Sequence, residues 1–535
     1  MPEAVLLGDE ALAMGAIDSG ISAAYAYPGT PSSEIMEYLQ AVAPKYGDFV
    51  AEWCSNEKTA YEAAVGVSLV GRRALVSMKH VGLNVAADPF INSALLAIHG
   101  GLVLAVADDP GMHSSQNEQD SRFYADFARI ICLEPRTQGE VYEMTREAFD
   151  LSERFHIPVM VRLTTRIAHS RAVVQTGERR SQNPLNKSTE KAGWMLLPST
   201  ARKLWAELLE NQGQFLAYAE NSPYNTLELN EEFFEFGVIT AGLGWNYYME
   251  NRDEMAVKPS HLHISVYPIP GEKVRRLAER VKRIVVIEEG FSFIERALLG
   301  ILVPAVKISG KEDGTLPSTG ELTPDNVRGA MGLKPKQGIE ATGLEIPGRP
   351  PQLCAGCPHR DSYDALNQAV AGFDQKVVTA DIGCYTLGYL PPYQAIETCL
   401  CMGASVGMAK GASQAGFHPV VATIGDGTFL HSGITPLVDA VASGSNMTLL
   451  ILDNSITAMT GGQQTILTSS RLEKLVHGIG VDPDHIKLII PLKKNTEENA
   501  EIIRREMEYE GVSVIIALRD CIQTPKEKKK KEAGE

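Results

Sequence analysis

Long apolar runs are missing from this chain. None approaches the roughly 20 consecutive apolar residues that a membrane-spanning helix needs,. The opening stretch MPEAVLLGDEALAMG has no basic segment ahead of an apolar one, so it does not read as a secretory signal, and the expected location is cytoplasmic,. Basic charge is scarce beside acidic charge: 50 Lys and Arg stand against 66 Asp and Glu, a net −16 with a pI near 5.3. That balance argues against a nucleic-acid groove, because phosphate backbones are held by concentrated Lys and Arg. Cysteine is sparse as well. Eight thiols in a long cytosolic chain suit metal or catalytic roles better than a disulfide framework,. What remains is 44% hydrophobic and 22% charged, the balance of a globular protein,. Its 535 residues are enough for about three domains,.

The most informative stretch is VATIGDGTFLHSGITPLVDAVASGSNMTLLILDNSITAMTGGQQ, residues 421–464. An apolar run, Val420–Ile424, ends in Gly425-Asp426-Gly427, and a helix is expected over Ser432–Ala442. A second apolar run, Leu449–Leu452, ends in Asp453-Asn454. This is strand, helix, strand, with polar oxygens at the carboxyl ends of the strands, where open α/β sheets bind ligands. Glycines on both sides of Asp426 allow backbone to approach a phosphate, and Asp426 and Asn454 offer hard oxygen ligands suited to Mg²⁺ on a diphosphate. An ordinary strand-to-helix turn with a capping Asp is the plain alternative; the matching second half of the pattern weighs against it.

Further along the same lines, residues 1–190 read as one α/β domain, with strands at Ala24–Tyr27, Phe49–Ala51, Ala74–Met78 and Gly101–Val106. Ser32 or Ser33 is expected to cap the helix after Pro28-Gly29-Thr30-Pro31. The polar stretch His113–Arg122 is too rich in Ser, Gln and Asn to read as core. Residues 195–345 form a second unit, with strands at Gly237–Ala241 and Arg283–Ile287 and no catalytic constellation. Residues 310–350 look like a linker. The third unit, 350–524, carries strands at Val377–Ala380 and Val512–Leu518 and most of the cysteines. Its Cys354-x-x-Cys357 is open to zinc, redox dithiol or iron–sulfur readings. A charged tail, 525–535, has no fold of its own.

The spacing of GDG and Asp-Asn resembles the thiamine diphosphate (TPP) motif, in which Asp426 and Asn454 would hold Mg²⁺ by side-chain oxygens and Ile456 by its backbone carbonyl. CAGCPHR, ADIGCYTLG, CMGASVGMAKG, GDGTFLHSGI and LDNSITAMTGGQ together resemble the alpha subunits of the indolepyruvate ferredoxin oxidoreductase family, and YPGTPSSE, SNEKTAYEAAVG, SMKHVGLN and DDPGMHSSQNEQDSR carry the likeness into the amino-terminal domain. The resemblance implies an α/β, multi-domain TPP-enzyme architecture: two doubly wound TPP-binding domains, the pyrimidine-binding one first and the diphosphate-binding one last, with a transketolase-C-like domain between them. It implies TPP, Mg²⁺ and one [4Fe–4S] cluster on Cys354, Cys357, Cys384 and Cys521, with Gly425, Asp426 and Gly427 at the diphosphate. Glu57 matches the glutamate that hydrogen-bonds the aminopyrimidine N1′, with Glu52 and Glu62 set aside. Met402 matches the apolar wedge between the cofactor rings; core packing is the alternative. Thr30 resembles a substrate-carbonyl contact, and a capping hydroxyl is nearly as good a reading. Cys401, His431, Lys79 and His80 could line the pocket, while Cys54 and Cys132 read as buried apolar thiols.

The implied reaction is oxidative decarboxylation of aryl 2-oxoacids such as indolepyruvate or phenylpyruvate, with coenzyme A as acyl acceptor, a small beta subunit as partner and ferredoxin as electron carrier. Alpha subunits of this family usually continue into a ferredoxin-like domain with two more cluster motifs. Those motifs are not in this sequence, so electrons are expected to leave through another subunit or a free carrier. A non-oxidative TPP decarboxylase or carboligase, and a non-catalytic assembly subunit, are the competing readings.

Overall fold

The computed structural model describes residues 2–523 apart from 188, 190, 302–305, 337, 339–342, 344–347, 349–350 and 468. The charged tail 525–535 lies outside the described residues. The chain divides into two compact units, Met1–Glu340 and Ala341–Glu535. Among the described residues no helix is long and apolar enough to cross a membrane.

The first unit holds three sheets, the smallest an antiparallel pair of Glu3–Leu7 with Arg171–Gln175. A seven-stranded sheet runs in the order Val266–Tyr267, Cys132–Leu133, Val159–Thr164, Leu102–Asp108, Ala74–Lys79, Ala23–Ala26, Val50–Trp53; only its first strand is antiparallel. Its central strands are buried along their whole length, which is why Ala74–Lys79 and Leu102–Asp108 read as mostly apolar up to a polar last residue rather than alternating,. A five-stranded sheet follows, in the order Lys307–Ser309, Arg283–Ile287, Gly237–Ala241, Ser260–Ile264, Leu227–Glu228.

Two expectations fail in this unit. His113–Arg122 was expected to stay out of the core, yet Asp120, Ser121 and Arg122 are buried. Arg122 ion-pairs with Asp120 and lies 2.9 Å from Glu288 at the end of the second sheet, while the buried Arg162 pairs with Asp108 at 2.7 Å. Charges enter this core because each guanidinium finds several carboxylates; removing one partner would leave a bare buried charge at a cost of about 3–5 kcal/mol. The expected linker also folds in part. Pro324–Ala330 is a helix with a Thr323 capping box, and Asn251 donates to the Pro324 carbonyl at 2.8 Å.

The second unit is built on five parallel strands in the order Val377–Ala380, Val420–Gly425, Met447–Asp453, Val512–Leu518, Ile486–Ile489. Helix begins at Asp426, not at Ser432. A short turn Asp426–Thr428 and a π-helical turn Phe429–Gly433 precede the regular helix Ile434–Ala442. A carboxylate in a first turn suits the positive end of the helix dipole, and π turns of this kind concentrate at functional sites.

Candidate functional site

Parallel strands deliver their last residues to one edge, so strand order decides which side chains meet. In the second unit the four adjacent strands end at Asp381, Asp426, Asn454 and Arg519-Asp520-Cys521. Asp426 is buried, and the Ser455 amide donates to its Oδ2 at 3.1 Å. Burial first, and the neighbouring Asp453 second, push the Asp426 carboxyl up to about 8. Two carboxyl groups in contact inside a protein repel unless a proton or a cation sits between them.

Asn454 stands beside them. Its amide Nδ2 donates to Nε2 of the buried His359 at 3.3 Å, and its Oδ1 accepts from the Ile456 amide at 3.2 Å. Burial lowers His359 to about 4, so its ring is neutral and accepts at Nε2 in the tautomer protonated at Nδ1. The amide oxygen keeps a second lone pair. Hard oxygens from Asp426, Asp453 and Asn454 are a donor set that fits Mg²⁺. Gly427 leaves room at the turn: a Cβ there would lie 3.1 Å from Thr457 Oγ1. At Gly425 a Cβ would come within 2.8 Å of the Tyr385 ring. Ile456 starts a two-residue strand that pairs with Gln463–Gln464. Met402 is half-buried, packs into neither apolar cluster of its unit, and precedes Gly403, whose φ of +85° and contact with Ser432 require glycine,.

The cysteines gather at the same edge. The Cys521 amide donates to the Asn454 carbonyl at 3.1 Å, and Ile522 Cγ2 would lie 3.7 Å from a Cβ at Gly356, inside the Cys354–Cys357 loop. Burial pushes Cys384 up to about 12, and Cys357, Cys521 and Cys354 each add to the rise. Cys357 is pushed to about 11 by burial, with Cys354 and Cys521 contributing. All four are free thiols. Four cysteines collected from three separate stretches is the donor chemistry of an iron–sulfur cluster. Cys357 also directly precedes the helix Pro358–Val370, and no described strand leads into it. Cys399 and Cys401 are exposed.

The first unit has its own strand-end cluster. Glu57 opens the helix Glu57–Leu69, is 6% exposed, and fills the space left by Gly82: a Cβ at Gly82 would sit 2.4 Å from Glu57 Oε1. Glu52 is exposed, and Glu62 is exposed and ion-paired with Lys58. Thr30 is half-buried in its turn. Ser32 holds the N-cap position of the helix Ser33–Tyr46 but donates to the Gly29 carbonyl at 2.8 Å, while Ser33 Oγ accepts from the Gly29 amide at 2.9 Å. The hydroxyls therefore stitch the turn rather than cap the helix. Lys79 lies against Gly29 and donates to the Ser114 carbonyl at 2.6 Å; Ser114 Oγ in turn donates to the Thr30 carbonyl at 3.1 Å. Burial lowers Lys79 to about 8. His80 is buried next to it and is likewise lowered by burial, whereas His431 sits in the π turn of the other unit. Cys132 is fully buried, as expected, and Cys54 only half-buried.

Asp453, His359 and Ser114 were missed as site residues by sequence reasoning, and Lys79 was singled out without a role. The one available signal was position: Asp453 and Lys79 each end an apolar strand. His359 had none, since it meets Asn454 only through the fold.

Residues 14–204 match the pyruvate flavodoxin/ferredoxin oxidoreductase thiamine-diphosphate-binding family, and residues 381–517 match the C-terminal TPP-binding domain of thiamine pyrophosphate enzymes. Indolepyruvate oxidoreductase subunit IorA of Archaeoglobus fulgidus is 37% identical over 96% of this chain and 86% of its own length. The subunit of the same name from Methanothermobacter marburgensis is 38% identical over 97% of this chain and 86% of its own. A solved 2-oxoglutarate:ferredoxin oxidoreductase from Magnetococcus marinus shares the fold, with a TM-score of 0.50 at 16% identity over 61% of this chain and 64% of that one. On these likenesses the chain belongs to the indolepyruvate oxidoreductase subunit IorA family, within the TPP-dependent 2-oxoacid:ferredoxin oxidoreductases.

Proposed function

We propose that this chain is the catalytic subunit for oxidative decarboxylation of aryl 2-oxoacids, indolepyruvate and phenylpyruvate among them, to aryl-acetyl-CoA and CO₂. The observation that carries the reading is Cys521 bonded through its amide to the Asn454 carbonyl, which sets four gathered thiols beside the hard-oxygen turn. A non-oxidative decarboxylase has no use for that arrangement. TPP, when bound, would supply the electron sink that carries the charge released as CO₂ departs. A [4Fe–4S] cluster on Cys354, Cys357, Cys384 and Cys521 would pass electrons on singly, to ferredoxin or another carrier, with a small beta subunit completing the particle.

The chain's own residues have separable tasks. Asp426 and Asn454 with the Ile456 carbonyl would hold Mg²⁺, while His359 fixes the Asn454 amide so that its oxygen faces away from the imidazole. Glu57 holds a proton at the pyrimidine N1′. Met402 would supply an apolar wedge against the cofactor, and Thr30 would donate to the substrate carbonyl. Lys79, a buried cation beside the Thr30 turn, takes the substrate carboxylate.

The test is anaerobic co-purification with the partner subunit, iron and TPP analysis, and reduction of a viologen dye by a panel of 2-oxoacids with and without coenzyme A. Dye reduction by aryl 2-oxoacids that depends on coenzyme A is expected; an iron-free preparation that releases CO₂ and aldehyde would reject the oxidative reading. Cys521→Ser should lower cluster iron and leave an oxygen-sensitive centre while TPP binding, read by calorimetry, stays near wild type. Full iron content with normal dye reduction would remove Cys521 from the ligand set.

Lys79→Met should raise KM for the 2-oxoacid by roughly 10–100-fold, the worth of a hydrogen bond to a charged group, with less effect on kcat. Because burial lowers the Lys79 amine to about 8, the wild-type KM should climb above that pH. In the variant this limb should vanish, and Michaelis profiles between pH 6.5 and 9.5 in both proteins check it.

A further inference from the structure

Away from these edges, three chemically matched side chains converge in the first unit. Asp9 lies in the first turn of the helix Gly8–Asp18, Glu34 in the first turn of the helix Ser33–Tyr46, and His169 at the end of the short helix Thr165–His169. They meet because Gly8 has no side chain: a Cβ there would lie 2.2 Å from the Ile167 carbonyl oxygen, so the first helix presses its start directly onto the helix that ends in His169. One ligand atom from each of Asp9, Glu34 and His169 falls within 4.8 Å of the other two, and His169 Nε2 is 3.4 Å from Glu34 Oε2.

Asp9 is the unusual member. It is 0% exposed, and neither carboxylate oxygen has a hydrogen-bond partner. A buried carboxyl with no donor is expensive unless something neutralises it. Glu34, Glu10 and Glu37 all push it further from ionising, so the neighbourhood supplies negative charge in excess, and among the described residues His169 is the basic group placed against the pair. Glu34 and His169 are each about one-third exposed.

We propose that Asp9, Glu34 and His169 form a metal site for a divalent ion of the zinc type. Two carboxylate oxygens and one imidazole nitrogen are an O₂N donor set that zinc accepts, with bonds of about 2.0–2.2 Å and an open position for water. Mg²⁺ favours oxygen donors and retains several waters, so the imidazole counts against it. The ion would tie three helix ends together. Since Thr30 is four residues ahead of Glu34, it would also brace the turn that carries Thr30.

The competing state has Asp9 protonated and Glu34 paired with a charged His169, and the two make opposite forecasts. The test uses the full chain with its iron content verified, dialysed against a chelator and then equilibrated with ZnCl₂ in excess MgCl₂. Wild type is expected to retain about one equivalent of zinc more than His169→Ala and Asp9→Asn by elemental analysis. Zinc should raise the unfolding temperature of wild type and not of either variant. Asp9→Asn, which replaces the unpartnered buried carboxyl by an amide of the same shape, should be more stable than wild type in chelator and less stable in zinc. Equal zinc content in all three proteins, with Asp9→Asn the more stable under both conditions, overturns the site in favour of a protonated acid.

Discussion

Asp426→Ala should abolish binding of TPP and Mg²⁺ rather than merely slow turnover. Asp426 closes the strand Val420–Gly425, opens the following helix turn, and is buried against Asp453 and the Asn454 turn. On the proposed ligand set the variant would lose the carboxylate between strand end and helix start and leave the diphosphate charge poorly neutralised. The fold should survive, because the deletion also relieves the carboxyl–carboxyl contact. Calorimetry with TPP and Mg²⁺ should show no heat of binding in a protein of wild-type unfolding temperature; near-wild-type affinity would place the metal elsewhere.

The wild-type protein carries a matching signature. With its carboxyl pushed up to about 8, metal-free Asp426 holds a proton below that pH, and Mg²⁺ must displace it. Affinity should therefore rise by about tenfold per pH unit between pH 6 and 8 and level off above, one proton being released per ion bound. A flat profile over that range would mean that the carboxyl is already ionised in the absence of metal.

Glu57→Gln should bind TPP normally and lose about 10²–10⁴-fold in kcat, the usual contribution of a positioned general acid or base. An amide has the shape of the carboxyl and can occupy the space that Gly82 leaves, so cofactor affinity and stability are spared. It cannot exchange the proton that the N1′ relay requires. Gly82→Ala makes the converse test: its methyl group would stand 2.4 Å from Glu57 Oε1 and must displace the carboxyl, so activity should fall with the glutamate still present. Glu57→Gln within a few-fold of wild type would undo the assignment, and the alternatives on the same stretch are poor, since Glu52 faces solvent and Glu62 is occupied by Lys58.

Sequence by itself determined the strands and their punctuation. Val377–Ala380, Arg283–Ile287 and Val512–Leu518 stand where their apolar runs begin and end, and Gly425-Asp426-Gly427 and Asp453-Asn454 fall at strand ends as read. A parallel strand buried on both faces needs an uninterrupted apolar run, and its carboxyl end must turn, so both signals are local. The helix start at Asp426 escaped because the π turn breaks the 3.6-residue period through Phe429–Gly433,. Everything that depends on who stands beside whom was decided by tertiary structure. His359 reaches Asn454 across 95 residues, Ser114 meets Thr30 across 84, and Arg122 becomes core only because Glu288 arrives from another sheet. Such contacts are set by strand order and by the packing of helix ends, which no window of neighbouring residues encodes. A carboxylate such as Asp9 reads as an ordinary first-turn acid until the fold closes over it and leaves it without a partner.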